Sequence, residues 1–179
     1  EGKTTTVVNM ASSLAQLDRS VLVIDCDLRK PTVHKLFGAS EDPGLATYLL
    51  SDARLESLIR RLPMKRLHLL PAGTCTANPA ELLSSEKMKN LLRLLSARYD
   101  HILIDAPPLV NLAEPLLLST MADGVILVVN SGKSERDAVL RARDELLNVG
   151  AEIFGVVLNN VDFRREGLGD YYKDYYGKS

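Results

Sequence analysis

The chain has no tryptophan, and aromatic residues make up only 5% of its 179 positions. The few aromatics it does have therefore stand out by where they fall. Cysteine is equally scarce. Cys26 and Cys75 show no metal-ligand spacing, and both are expected as small core or loop residues in a reduced, cytosolic setting. No apolar run reaches membrane-spanning length and no signal peptide is visible. The formal net charge is -1, so the whole-molecule field argues neither for nor against a nucleic-acid partner. The first residue is glutamate where an initiator methionine would stand, and the expectation is a fragment of a longer protein.

The opening residues Glu1-Gly2-Lys3-Thr4-Thr5 match the closing half of a phosphate-binding loop, G-x-x-x-x-G-K-[ST]. In such a loop backbone N–H groups cradle phosphates, the lysine reaches the terminal phosphates and the hydroxyl serves Mg²⁺. A helix should start here, and its free N–H groups and positive end suit an anion. The opening glycine of the motif and the strand that should lead into it are not in the chain.

With 46% hydrophobic and 25% charged residues, the composition is that of one globular domain with a sizeable core. Helical spacing predicts a helix from Thr4 to about Asp18, on Val7, Met10, Ala11, Leu14 and Leu17. Short helices are expected at Pro31–Leu36, Leu45–Leu50 and Arg54–Leu62. Longer ones are expected at Ser85–Ala97, Leu112–Met121 and Ser134–Val149, the last with Ser134 and Asp137 as a capping box and Gly150 as its stop. Thr74–Pro79 reads as a surface loop. The runs 21–24, 67–70, 101–104, 124–129 and 153–158 read as strands, 21–24 and 124–129 as buried ones. Strands alternating with helices imply a three-layer α/β sandwich with a mostly parallel central sheet. Residues 1–160 form the expected domain, and 161–179 a flexible tail.

Two runs end in carboxylates: Asp25 and Asp27 after the first strand, Asp105 after the one closed by Pro107-Pro108. Ligands of open α/β sheets sit beyond the carboxyl ends of the strands, so these aspartates fall on the same edge as Lys3. Taken singly, an aspartate there is more often a helix cap or a turn residue. Together, Lys3, Thr4, Asp25, Asp27 and Asp105 can fill every role that phosphoryl transfer with Mg²⁺ requires. Four of the six tyrosines, Tyr171, Tyr172, Tyr175 and Tyr176, lie in the last nine residues. That segment reads either as a docking end or as a phosphorylation substrate.

These features together resemble the catalytic domain of the bacterial tyrosine autokinases associated with capsule and exopolysaccharide biosynthesis, which are P-loop proteins of the deviant Walker A group. The likeness runs from Gly2 to the C-terminus. It rests on Gly2-Lys3-Thr4, on residues 21–31 around Asp25-Cys26-Asp27, on Pro71-Ala72-Gly73 with Asn78–Leu83, on Ile104–Pro108 and on the terminal tyrosines. The resemblance implies ATP as phosphoryl donor, with Gly2, Lys3, Thr4 and Thr5 on its phosphates, and Mg²⁺ held by Thr4, Asp27 and Asp105. It also implies Asp25 as base for the incoming tyrosine hydroxyl, Asn159 at the adenine edge (or as a turn former), and the four tail tyrosines as sites of autophosphorylation in trans.

As partners it implies a transmembrane activator of the polysaccharide co-polymerase type, other copies in a ring, and a phosphotyrosine phosphatase, but no nucleic acid. The implied location is the cytoplasmic face of the membrane. Two other readings compete: a partition or positioning ATPase that switches dimerisation, and a non-catalytic nucleotide-binding regulatory module.

Overall fold

The computed structural model describes residues 1–110 and 112–162. Its elements run in the order α1 (Lys3–Gln16), β1 (Val21–Asp25), α2 (Val33–Leu36), α3 (Leu45–Leu50), α4 (Leu55–Leu58), β2 (Arg60–Arg61), β3 (Leu67–Leu70), α5 (Pro79–Ser84), α6 (Glu86–Ser96), β4 (His101–Asp105), α7 (Glu114–Ser119), β5 (Val125–Asn130), α8 (Arg136–Asn148) and β6 (Ile153–Asn159).

β1 is apolar from Val21 to Ile24 because both of its faces are covered. Leu22 and Ile24 point into a cluster with Leu45, Leu58, Leu83, Met88, Leu91 and Leu95. Val21 and Val23 point the other way, onto Ala11 and Ala15 of α1 and Val33 of α2. Helices on both faces of a strand that pairs in parallel on both sides make the expected three-layer α/β architecture. The first sheet has the order β2-β3-β1-β4, with β2 antiparallel, and β5 pairs with β6 in parallel as a second sheet.

β4 and β5 face each other across an apolar cleft of about 580 Å³, lined by Ile102, Ile104, Val125, Leu127, Val7 and Met10. The cleft explains a departure from the helical pattern expected for α1. Only Ala11 and Ala15 are buried there, whereas Met10 is 37% exposed, and Leu17 is 73% exposed beyond the last turn.

Other boundaries move for local reasons. The helix expected from Arg54 to Leu62 stops at Leu58, because Arg60 and Arg61 pair with Leu69 and His68 as an edge strand. The loop expected at Thr74–Pro79 ends in α5, whose cap Asn78 accepts from the Ala80 N–H and whose first residue is Pro79. Ser134 does not cap α8. Its hydroxyl accepts the Asn130 N–H at 3.0 Å, and the helix begins after Glu135 without a side-chain cap. Gly150 ends α8 at φ 77°, as expected. The tyrosines assigned to the tail lie outside the described residues.

Candidate active site

The site lies where three chain segments meet at the carboxyl edge of the first sheet. α1 begins behind Gly2, which has φ 91° and ψ 20°, a left-handed conformation that glycine adopts without strain. A Cβ here would lie 2.5 Å from Asn159 Nδ2, so the glycine also permits close approach of β6. Asn159 binds the loop through that nitrogen, which donates to the Glu1 carbonyl at 3.0 Å and to Thr6 Oγ1 at 3.3 Å. Lys3 Nζ pairs with Glu1 Oε2 at 2.8 Å. Thr5 is exposed on the first turn of α1.

The parallel register sets Asp25 directly beside Asp105. The main chain ties the two strand ends together through the Cys26 N–H, which donates to the Asp105 carbonyl at 2.8 Å. Thr4 Oγ1 donates to Asp105 Oδ2 at 2.7 Å and lies 3.2 Å from Thr32 Oγ1. Asp105 Oδ1 is buried and has no hydrogen-bond partner. Asp27 organises its own turn, with Oδ1 accepting the N–H groups of Lys30 at 2.9 Å and Arg29 at 3.3 Å.

Asp25 is fully buried. Its Oδ2 accepts from the Thr32 and Val33 N–H groups at 3.1 Å each, and its Oδ1 from the Asp27 N–H at 3.2 Å. Burial pushes its carboxyl up to about 7; the Val33 N–H opposes the rise, and the Asp105 charge adds to it. Burial raises Asp105 as well, against the Thr4 hydrogen bond and the Lys3 charge. The Cys26 thiol is pushed far up by burial and by both carboxylates, which makes it inert as a nucleophile at neutral pH.

Among the described residues, no group of three or more His, Cys, Asp or Glu side chains could hold a metal by itself. Mg²⁺ asks for less: hard oxygens, one or two of them carboxylates, with water and phosphate completing the shell. The Thr4 hydroxyl and the unpartnered Asp105 Oδ1 fit that requirement.

The structure thus gathers Gly2, Lys3, Thr4, Asp25, Asp27, Asp105 and Asn159 at one edge. Three further residues belong to the arrangement and had no role in the sequence reading: Glu1, Thr32 and Arg29. Arg29 sits inside the motif that drew attention to Asp25 and Asp27. Its partner Glu114, held through Nε at 2.8 Å and Nη2 at 2.6 Å, lies 85 positions away and carries no local signal.

A parallel α/β domain with a Gly-Lys-Thr helix start and strand-end aspartates is a P-loop nucleotide-binding domain. A family profile described as an AAA domain matches residues 1–140. The tyrosine-protein kinase YwqD of Bacillus subtilis (strain 168) is 38% identical over 96% of this chain and 73% of its own length. The crystal structure of the VpsO kinase domain superimposes with a TM-score of 0.86 at 39% identity, covering 90% of this chain and 80% of that one. The chain belongs to the family of bacterial tyrosine-protein kinases. The septum site-determining protein MinD of Pyrococcus horikoshii OT3, solved with Mg-ADP, is similar at 26% identity and a TM-score of 0.75, over 90% of this chain and 66% of its own. The architecture is therefore shared with that septum site-determining protein, while the kinases cited are nearer in sequence.

Proposed function

We propose that this domain transfers the terminal phosphoryl group of ATP to tyrosine hydroxyls, and that its own acceptors are Tyr171, Tyr172, Tyr175 and Tyr176 of a neighbouring copy. The observation that carries this reading is the Thr4–Asp105 hydrogen bond beside Lys3, with Asp25 and Asp27 on the adjacent strand end. Lys3 gives up Glu1 to contact the terminal phosphates. The backbone of Gly2 to Thr5 faces the phosphate chain. Thr4, Asp27 and Asp105 would hold Mg²⁺, which would screen the phosphate charge. Asn159 spends its amide hydrogens on the loop, so its Oδ1 is the atom left for the amino edge of adenine.

Asp25 has two assignable roles. A carboxyl titrating near 7 suits a general base for a tyrosine hydroxyl. Complete burial and three backbone donors suit an anchor for the turn bearing Asp27. The base role predicts that Asp25→Asn abolishes phosphotransfer but leaves Mg²⁺-nucleotide affinity intact; the anchor role predicts that both fall.

Residues 1–160 are the catalytic unit in this reading, and 161–179 are its substrate. Each phosphate adds about −1.5 to −2 charge, so a multiply phosphorylated end is repelled by the carboxylate-lined site. That change regulates assembly with other copies and with a transmembrane activator, at the cytoplasmic face of a membrane that exports polysaccharide. A phosphotyrosine phosphatase resets it. Among the described residues no helix is long and apolar enough to cross a membrane.

The test is mass-spectrometric mapping of phosphate on the full-length protein after incubation with Mg²⁺-ATP, beside Lys3→Met. Phosphate on the four tyrosines, lost in the variant, is the expected result. ATP hydrolysis without phosphotyrosine would establish a positioning-type ATPase instead. Nucleotide binding with neither activity would establish a regulatory module.

A further inference from the structure

The turn that presents Asp27 is tied to itself more than to its surroundings. Asp25 Oδ2 holds its far end through the Thr32 and Val33 N–H groups, and Asp27 Oδ1 holds its middle through Arg29 and Lys30. The Cys26 N–H secures its root to β4. None of these bonds fixes the tip of the turn against the segment that follows Asp105. Arg29 does. Its guanidinium reaches across to the first residue of α7, placing Nε at 2.8 Å and Nη2 at 2.6 Å from Glu114 Oε1.

Three properties set this pair apart from an ordinary surface ion pair. The Glu114 side chain is 2% exposed, the most buried acidic partner of any ion pair among the described residues. A carboxylate that deep is costly to desolvate and is strongly committed to its partner. Glu114 stands on α7, which packs against α5, so the acceptor is fixed to the body of the domain. Arg29 is itself part of the Asp27 turn, because its backbone N–H donates to Asp27 Oδ1 at 3.3 Å. The clamp therefore acts two residues from Asp27, while the same α7 segment continues from the Asp105 strand.

We propose that Arg29 is a positioning residue: held by Glu114, it keeps the Asp27 turn facing Asp105, so that the two carboxylates serve one Mg²⁺. The inference rests on the nucleotide and Mg²⁺ reading above. Arg29 touches neither phosphate nor metal in this role. Its effect is confined to the Mg²⁺-dependent part of nucleotide binding, because Lys3 and the Gly2 loop are held by other bonds.

The experiment uses the full-length kinase and a fluorescent ADP analogue. Affinity is measured in EDTA and across a Mg²⁺ titration, for the native protein, Arg29→Gln, Arg29→Lys and Glu114→Gln, with thermal unfolding recorded for each. Support-shell substitutions at metal sites typically cost about 10–100-fold in metal affinity. Arg29→Gln is expected to raise the half-saturating Mg²⁺ concentration by about tenfold or more, with Mg²⁺-free affinity changed by less than about twofold. Arg29→Lys, which can restore one bond and the charge, should recover part of that loss. Glu114→Gln keeps an uncharged acceptor and should fall between native and Arg29→Gln.

An unchanged half-saturating Mg²⁺ concentration in Arg29→Gln would overturn the proposal. So would a parallel loss of Mg²⁺-free and Mg²⁺-bound affinity that tracks the melting temperature, the signature of a purely structural pair. A native protein whose ADP affinity ignores Mg²⁺ would overturn the metal reading itself, and the clamp with it.

Discussion

Replacing Asp25 by asparagine should stabilise the nucleotide-free domain at pH 8 but not at pH 5. The Asp25 carboxyl titrates near 7 in the folded chain, against an ordinary value of 3.8. Folding therefore favours its protonated form. The stability this contributes is full below 3.8, drains away as pH rises towards about 7, and is gone above that. At 1.36 kcal/mol per pH unit, the interval corresponds to an upper limit of about 4 kcal/mol. Asparagine cannot ionise, so it escapes this loss. It has one acceptor oxygen where the carboxylate has two, so one of the N–H groups of Asp27, Thr32 and Val33 goes short. A buried donor without a partner costs about 1–3 kcal/mol.

The net gain is then about 1–3 kcal/mol at pH 8 and close to nothing at pH 5, where the native side chain is already largely protonated. In a chain of this size that is roughly 2–4 °C per kcal/mol in melting temperature. Urea unfolding of EDTA-treated protein at several pH values between 5 and 8 measures it. The decisive quantity is the difference in pH slope between native and variant, which isolates Asp25 from every other titrating group. Parallel curves, or a variant less stable than native at pH 8, would refute the reasoning.

Thr4→Val removes the donor to Asp105 Oδ2. It should cost about 1.5–3 kcal/mol, raise the Asp105 carboxyl further and weaken Mg²⁺-ADP binding, as seen by calorimetry beside a Thr4→Ser control that retains all three. Gly2→Ala puts a side chain at φ 91° and 2.5 Å from Asn159 Nδ2. It should cost about 1–3 kcal/mol of local strain and loosen the tie between Asn159 and Glu1, and a nucleotide affinity equal to native would contradict this. Leu91→Ala empties a fully buried position in the cluster on β1. Its expected cost is about 2–5 kcal/mol, read as a lower urea midpoint with an unchanged slope.

The strand ending in Asp25 was readable because a parallel strand covered on both faces is apolar until its end, and the first polar residue then marks that end. The strand ending in Asp105 was readable from its apolar run Ile102–Ile104, although these residues are only half-buried because they border the cleft. The face of α6 was readable because Met88, Leu91 and Leu95 recur at helical spacing and are buried. Most of what escaped has tertiary causes, and one element was hidden by a local ambiguity. β2 is two arginines that become a strand only by pairing with β3. α5 was hidden because Asn78-Pro79 signals a turn as strongly as a helix start. Ser134 had the right spacing for a cap, but Asn130 takes its hydroxyl. Arg29 and Glu114 are 85 residues apart, and neither flank hints at the other.

The bonds in the site differ in what a nucleotide must displace. The Lys3–Glu1 pair joins side chains that are 29% and 40% exposed. Such pairs contribute about 0–1 kcal/mol, so Lys3 is released to a phosphate at little cost. The Thr4–Asp105 bond is partly buried and made to a carboxylate, which places it among the stronger kind. It need not be broken at all. A hydroxyl has one proton and two lone pairs, and Thr4 has committed the proton to Asp105 Oδ2. What remains for a cation is the lone pairs, already turned away from Asp105. The same bond thus holds Asp105 in place and fixes which side of Thr4 Oγ1 can act as a ligand. Serine can reproduce both effects, and alanine neither.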